Sequence, residues 1–407
     1  YYFIDFCAYY PFFVVMISYI SASYVFPVVG PPIKNGVIGV EIDGTITSVL
    51  TPEEAGNEKI KGITHYEGLL VPGFVNTHCH LELSHLKGQI ETRTGLLGFV
   101  QPIMKLRTSD EDALDLAMLR ADREMFENGI VAVGDISNQI ISRGTKLGSP
   151  IYYHTFLEVM GFNPLTAKES IARALEFKEK FAPLKVSIVP HAPYSVSAEL
   201  FKELRDNGGT KGELLSIHNQ ETEDENLFFE RKEGGFLELY KVLGLDIDFY
   251  EASGKTSLQT FLPMLSDQQK TLLVHNTFTS KADVEFAEAS HPNLYWCLCP
   301  NANLYIENRL PDVDMLRNAG VKITLGTDSL ASNNRLSIFA EMQTLQINFG
   351  IDFDDLLKWG TINGAEFLGV EQRYGSLEPG KRPGINLVDF EEISGIIMLG
   401  SRVERLF

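Results

Sequence analysis

Positive charge is scarce in this chain of 407 residues: 35 Lys and Arg stand against 54 Asp and Glu, a formal net charge of −19. A nucleic acid or an anionic membrane surface would need a basic face, so neither is an expected partner. Cysteine is scarce too, with only Cys7, Cys79, Cys297 and Cys299. These are too few and too clustered for a disulfide framework, which fits a reducing compartment and a cytoplasmic enzyme. Cys297 and Cys299 form a C-x-C that could bind metal. No second cysteine pair completes a set of four sulfurs, and the adopted reading is small core residues on a strand. Short-period repeats and low-complexity tracts are absent. Apolar residues are not: at 44% of the chain they can bury one large core with a smaller companion. This balance suits an enzyme whose partner is a small-molecule substrate, with a second copy in a homodimer compatible with it.

One run at the start is different. YYFIDFCAYYPFFVVMISYI is nearly long enough and apolar enough to cross a bilayer, yet it carries Asp5 and Pro11 and no basic stretch. Residues 1–15 are therefore expected to be an atypical apolar extension, with a strand pattern opening at Met16. From there to about Leu70, short alternating runs and tight turns predict a small antiparallel β unit. Residues 373–407 again read as β and are expected to join residues 16–70 in a composite β-sandwich domain built from both ends of the chain.

Between these ends, residues 71–372 repeat one theme. Apolar runs near residues 74, 132, 153, 187, 215, 272, 295 and 323 alternate mostly with helical patterns, as at 167–181, 197–207, 281–290 and 311–319. Eight strands alternating with helices predict an α/β fold, a closed (β/α)8 TIM barrel, whose reactive groups come from strand C-terminal ends.

Polar groups do recur at those ends. His78 and His80 close the first run two residues apart, so both rings project to one side. His191 follows SIVP, His218 follows LLSI, His275 follows LLV and Asp328 follows ITLGT. His78, His80, His218 and Asp328 supply three nitrogens and one carboxylate, a donor set for one divalent metal ion with a position left open for water. A cation there lowers the pKa of water towards neutrality and makes it a nucleophile. Glu221, three residues past His218, is the candidate general acid and base. His275 is expected to orient the water, and Asp328 to accept its proton as well as bind metal. The fourth run ends in His191 with no lysine to bridge a second ion, so one metal is favoured and His191 is expected to line the substrate pocket. Zinc is the expected ion, with iron compatible with the same donors.

The motifs PGFVNTHCH, PHAPYS, IHNQE, VHNT, CPNAN, LGTDS and GSLEPGK occur in that order. Together they resemble the amidohydrolase superfamily, in its deaminase and chlorohydrolase branch. HLELSHLKG and GLLGFVQPIMK are similar to the aminodeoxyfutalosine deaminases of an alternative menaquinone pathway. The resemblance implies a barrel flanked by a composite β domain, one zinc or iron, and hydrolytic loss of an amino group from a heterocycle such as a 6-aminopurine nucleoside. It carries the ligand roles to His78, His80, His218 and Asp328, catalysis to Glu221 and His275, and substrate contact to His191. Glu82 in HLELSH and Asn303 in CPNAN are further candidate substrate contacts. A chlorohydrolase, an imidazolone or formimino hydrolase, and a silent barrel scaffold remain the alternatives.

Overall fold

Short strands and tight turns open the chain as the alternation predicts: β1 (Ile17–Val25), β2 (Ile33–Lys34), β3 (Val37–Glu41), β4 (Ile46–Leu50) and β5 (Thr64–Pro72). The computed structural model describes residues 16–107, 110–207 and 213–407. The extension expected at residues 1–15 lies outside them. Two strands from the far end of the chain, Ile385–Ile393 and Ile396–Arg405, complete one continuous seven-stranded sheet. Ile385 pairs with Pro72 and Leu387 with Leu70, so the end of the chain docks on β5.

The sheet differs from the expected antiparallel unit in one pairing, since β1 and β5 run parallel. Parallel neighbours need a crossover. The polar stretch between β4 and β5 supplies it by folding into a helix, Pro52–Asn57, started by a Thr51/Glu54 capping box. Ile20, Ala22, Val25, Ile38, Val40 and Leu70 then bury together with Leu377, Ile385 and Leu387.

The eight central runs become eight strands: β6 (Phe74–Cys79), β7 (Ile130–Ser137), β8 (Tyr152–Val159), β9 (Lys185–Pro190), β10 (Leu215–Asn219), β11 (Thr271–His275), β12 (Leu294–Leu298) and β13 (Ile323–Leu325). Every residue of β7 is buried, which its run of Ile130, Val131, Ala132, Val133 and Ile136 suits, while Asp135 and Ser137 find polar partners. Parallel ladders join β6 to β9 and β10 to β13. Two seams close the ring. The His218 N–H donates to the His191 carbonyl at 3.0 Å between β9 and β10. At the other seam the N–H groups of Thr327 and Asp328 both donate to the His78 carbonyl, at 3.0 and 3.1 Å.

Alternate residues on each strand divide two cores. Val75, Phe156, Val189, Val274 and Cys297 pack into one, while Phe74, Leu157, Trp296 and Leu298 join the larger layer that includes helix residues such as Met118 and Leu345. Cys79, Cys297 and Cys299 are free and buried. Helices occupy the expected places, for example Ala167–Lys180, Ala198–Asn207 and Lys281–Ser290. The helical run after the first motif divides into Gly95–Leu106 and Glu111–Glu127. The long connection after β10 is itself helical, at Glu223–Arg231, Phe236–Val242 and Ser257–Phe261. Among the described residues, no helix is long and apolar enough to cross a membrane.

Gly73 is where the sheet meets the barrel. A Cβ there would stand 2.2 Å from Val131 Cγ1 and 2.6 Å from the Pro383 carbonyl oxygen, whereas one on Gly56 would meet nothing within 4 Å. Gly73→Ala should therefore cost about 1–3 kcal/mol by overpacking. Gly56→Ala, inside a helix, should be neutral or stabilising by up to about 1 kcal/mol. Thermal melts of the two variants, with opposite shifts expected, check this.

Candidate active site

β6 delivers the first two imidazoles. His78, fully buried, and His80, two residues on, turn their Nε2 atoms to within 3.1 Å of each other. The Nε2 of His218, at the end of β10, lies 3.3 Å from that of His80. Asp328 Oδ1 stands 3.5 Å from His78 Nε2 and 3.4 Å from His80 Nε2. Its other oxygen accepts a short hydrogen bond from the Ser332 hydroxyl, which fixes the carboxylate plane. The Nδ1–H of His218 donates to the His191 carbonyl at 2.7 Å, which leaves its Nε2 lone pair for the cluster.

Backbone conformation aims two of these groups. His275 and Asp328 take φ of 76° and 53°, a left-handed region that non-glycine residues enter at a cost of about 1–3 kcal/mol each. The chain turns sharply past each strand, and both side chains face the barrel mouth instead of alternating away from it. His275 Nε2 lies 3.6 Å from Glu221 Oε1, and a ring nitrogen of His275 is within 4.8 Å of ligand atoms on His78 and Asp328.

Burial sets the protonation. It pushes His80 and His218 well below the usual histidine range, although the Asp328 carboxylate pulls His80 the other way. His275 falls to about 4 and His191 to about 3, again chiefly through burial. Asp328 is held well below the usual carboxylate range, because the hydrogen bond from His78 and the neighbouring imidazoles outweigh its burial. Glu221 moves the opposite way, raised well above its ordinary value by burial and then by repulsion from Asp328 and Glu225.

Three imidazoles and one carboxylate, with ring nitrogens and a carboxylate oxygen converging over 3.1–3.5 Å, form a set that only a shared proton or a cation relieves. The arrangement fits a divalent metal ion. A second trio, Glu158, His191 and His218, also clusters. Both nitrogens of His218 are already committed, Nδ1 to the His191 carbonyl and Nε2 to the first cluster, so it has none for a second ion.

Below the barrel mouth lies a cavity of about 590 Å³. His80, His218, His275, Glu221 and Asp328 form one pole, with His191 beside them, and Leu97, Val100, Met104, Leu239, Leu243 and Leu245 are among the apolar residues lining it elsewhere. Two expected contacts do not reach it. Glu82 spends both oxygens on the backbone N–H groups of Asn138 and Gln139, at 3.0 and 3.2 Å, because the 3-10 turn Leu81–Leu86 points it at the loop after β7. Asn303 lies on the helix Pro300–Ile306, where its amide donates to the Thr277 hydroxyl and its carboxamide favours the protonated ring of His275.

The cavity wall instead includes three residues that the strand-end pattern did not single out. Arg107 donates to Asn138 Oδ1 at 2.5 Å, and Asn138 donates to Glu158 Oε2 at 3.1 Å. Glu158 Oε1 is 3.5 Å from His218 Nδ1, and burial raises its carboxyl to about 8. A lone carboxylate in the apolar run FLEVMG was the available signal.

The amidohydrolase family model matches residues 69–403. An adenosine deaminase of Helicobacter pylori is 26% identical over 340 residues, 80% of this chain and 80% of that protein. The crystal structure of H. pylori aminofutalosine deaminase with methylthio-coformycin superposes with a TM-score of 0.76 at 23% identity, over 96% of this chain and 100% of that one. An adenosine deaminase of Xanthomonas campestris with bound zinc gives 0.72 at 23% identity, over 91% and 84%. Eight parallel strands, the strand-end constellation and a family match across most of the sequence lead to one assignment: the chain belongs to the amidohydrolase family.

Proposed function

We propose that this protein is a metal-dependent aminohydrolase that replaces the amino group of a 6-aminopurine nucleoside by oxygen and releases ammonia. Aminodeoxyfutalosine is the leading substrate. The observation that carries the reading is Glu221 facing His275 at 3.6 Å in the cavity that also holds His80, His218 and Asp328. The curated relative and the two solved structures are named as deaminases of adenosine and aminofutalosine. A cavity of about 590 Å³ falls in the range of small-ligand sites, roughly 300–1,000 Å³, and its apolar lining suits a nucleoside with a bulky apolar substituent beyond the sugar.

His78, His80, His218 and Asp328 would hold the cation, zinc by preference. Bound there, it would supply Lewis acidity that makes water nucleophilic at neutral pH. Glu221, held in its acid form, gives its proton to the substrate ring as the tetrahedral carbon forms. The carboxylate left behind then takes the remaining proton of the added hydroxyl as the amino nitrogen departs as ammonia with the proton that Asp328 collected from the water. The raised pKa of Glu221 favours the acid form needed for the first transfer. His275, with its proton affinity lowered by burial to about 4, is a neutral ring that orients the attacking water and faces the oxygen as charge develops. Asp328 stays anionic and can share the water proton through the Oδ1 that Ser332 leaves free. His191 lines the wall next to His218 and would contact the base or sugar. The atoms balance as amine plus water giving ring oxygen plus ammonia.

Glu221→Gln should leave metal content unchanged while lowering kcat by roughly a hundredfold or more, the scale of general acid and base work. Metal analysis beside steady-state kinetics checks both halves. Asp328→Ala should lose metal together with activity, and full occupancy in that variant would remove Asp328 from the ligand set. Ammonia release should appear with at least one member of a panel of 6-aminopurine nucleosides that includes aminodeoxyfutalosine. No release from metal-loaded enzyme across the panel would contradict the substrate class.

A further inference from the structure

A buried ion pair that the proposed chemistry does not use lies directly behind the first motif. Lys146, on the helix Arg143–Gly148, and Asp135, on β7, are both fully buried, with Nζ to Oδ2 at 2.7 Å. The ammonium also donates to the Ser137 hydroxyl at 2.8 Å and the Thr155 hydroxyl at 3.1 Å, which accounts for its three protons. The rings of Tyr153 and Phe181 stand 5.9 and 5.5 Å away. Two charges in such a layer are costly to desolvate, and an apolar pair of similar volume is often as stable or more so. Stability alone therefore gives no reason for them.

The other carboxylate oxygen supplies a reason. Asp135 Oδ1 accepts the backbone N–H of Leu81 at 2.8 Å. Leu81 opens the 3-10 turn that follows β6, and the side chain of the residue before it, His80, makes no capping hydrogen bond to that turn. The first N–H groups of a helical turn have no internal partner. Asp135 provides one from the neighbouring strand, and Lys146 balances the buried charge that this carboxylate brings with it. The peptide being held is the one that leaves His80, whose φ of −121° and ψ of 82° have already departed from the strand.

We propose that Asp135, its charge balanced by Lys146, is a positioning residue that fixes the exit of the chain at His80, and through it the cation affinity of the site. This rests on the reading of His78, His80, His218 and Asp328 as a metal site. Neither residue touches substrate or the reacting atoms. Supporting groups of this kind commonly change metal affinity by about 10–100-fold.

The test uses two neutral double variants of the full chain and zinc alone as the probe. In D135N/K146M the amide oxygen still accepts the Leu81 N–H; in D135L/K146M nothing does. Zinc affinity, measured by competition with a chelator, is expected within about threefold of wild type for the first and 10–100-fold weaker for the second. Metal-free melting curves of both variants, each expected to show one cooperative transition, separate loss of the fold from loss of affinity. Equal zinc affinity in the two variants overturns the proposal. So does a loss in D135N/K146M as large as in D135L/K146M, since a merely structural pair would not be rescued by the amide. Where D135L/K146M does not fold, D135A/K146M leaves space instead of filling it and carries the same expectation. A wild-type chain that takes up no zinc overturns the metal reading itself and this proposal with it, a failure distinguishable from equal affinity among variants that do bind.

Discussion

The peptide carbonyl of His78, with the side chains of Asn76 and Thr77 beside it, joins the last barrel strand to the first. The oxygen of His78 accepts the N–H groups of Thr327 and Asp328, so the bond that closes the ring also brings the Asp328 carboxylate against the rings of His78 and His80. Closure and site are thus one event. If β13 were displaced from β6, the barrel would open and the donor set would lose its only carboxylate among the four. The left-handed conformations at His275 and Asp328 belong to the same constraint. Such strain is tolerated where packing over-determines the chain, as it is at the convergent ends of a closed barrel.

Burial is the second half of the account. The groups that meet at the barrel mouth are almost wholly removed from water, with His78 and His275 exposed by 0% and 1%. Burial disfavours charge on His80, His218 and His275, whose rings become neutral donors, and drives Glu221 towards its acid form. Asp328 alone is pulled the other way, because its neighbours are ring nitrogens that stabilise its charge. A negative centre thus faces neutral donors, and the acid stands opposite His275.

Much of this was readable from the sequence because barrel strands obey simple rules. A run with both faces buried is mostly apolar, as in SIVP and TLLVH, and polar residues mark where it ends. All of His78, His80, His191, His218, His275 and Asp328 sit at or just past such ends. Residues past the strand ends were harder, since their direction depends on turns that leave no periodic trace. Glu82 is two residues beyond His80, yet the 3-10 turn sends it to the backbone of Asn138 and Gln139. Asn303 rides a short helix beginning at Pro300, which pairs it with Thr277 and His275 and leaves it out of the cavity wall. Glu158 was hidden by the opposite fault, as one carboxylate in an apolar strand carries no spacing to flag it. The parallel pairing of β1 with β5 depended on a six-residue helix within what read as a polar loop.

The central claim is that three imidazoles and one carboxylate, drawn from β6, β10 and the end of β13, gather one cation. X-ray absorption at the zinc edge, on the full chain loaded with one equivalent of zinc, measures this directly. The account predicts a single ion per chain with first neighbours that are nitrogen and oxygen only and with the outer scattering of several imidazole rings. A sulfur neighbour, which would bring in Cys297 or Cys299, or a shell without imidazole scattering, would contradict it.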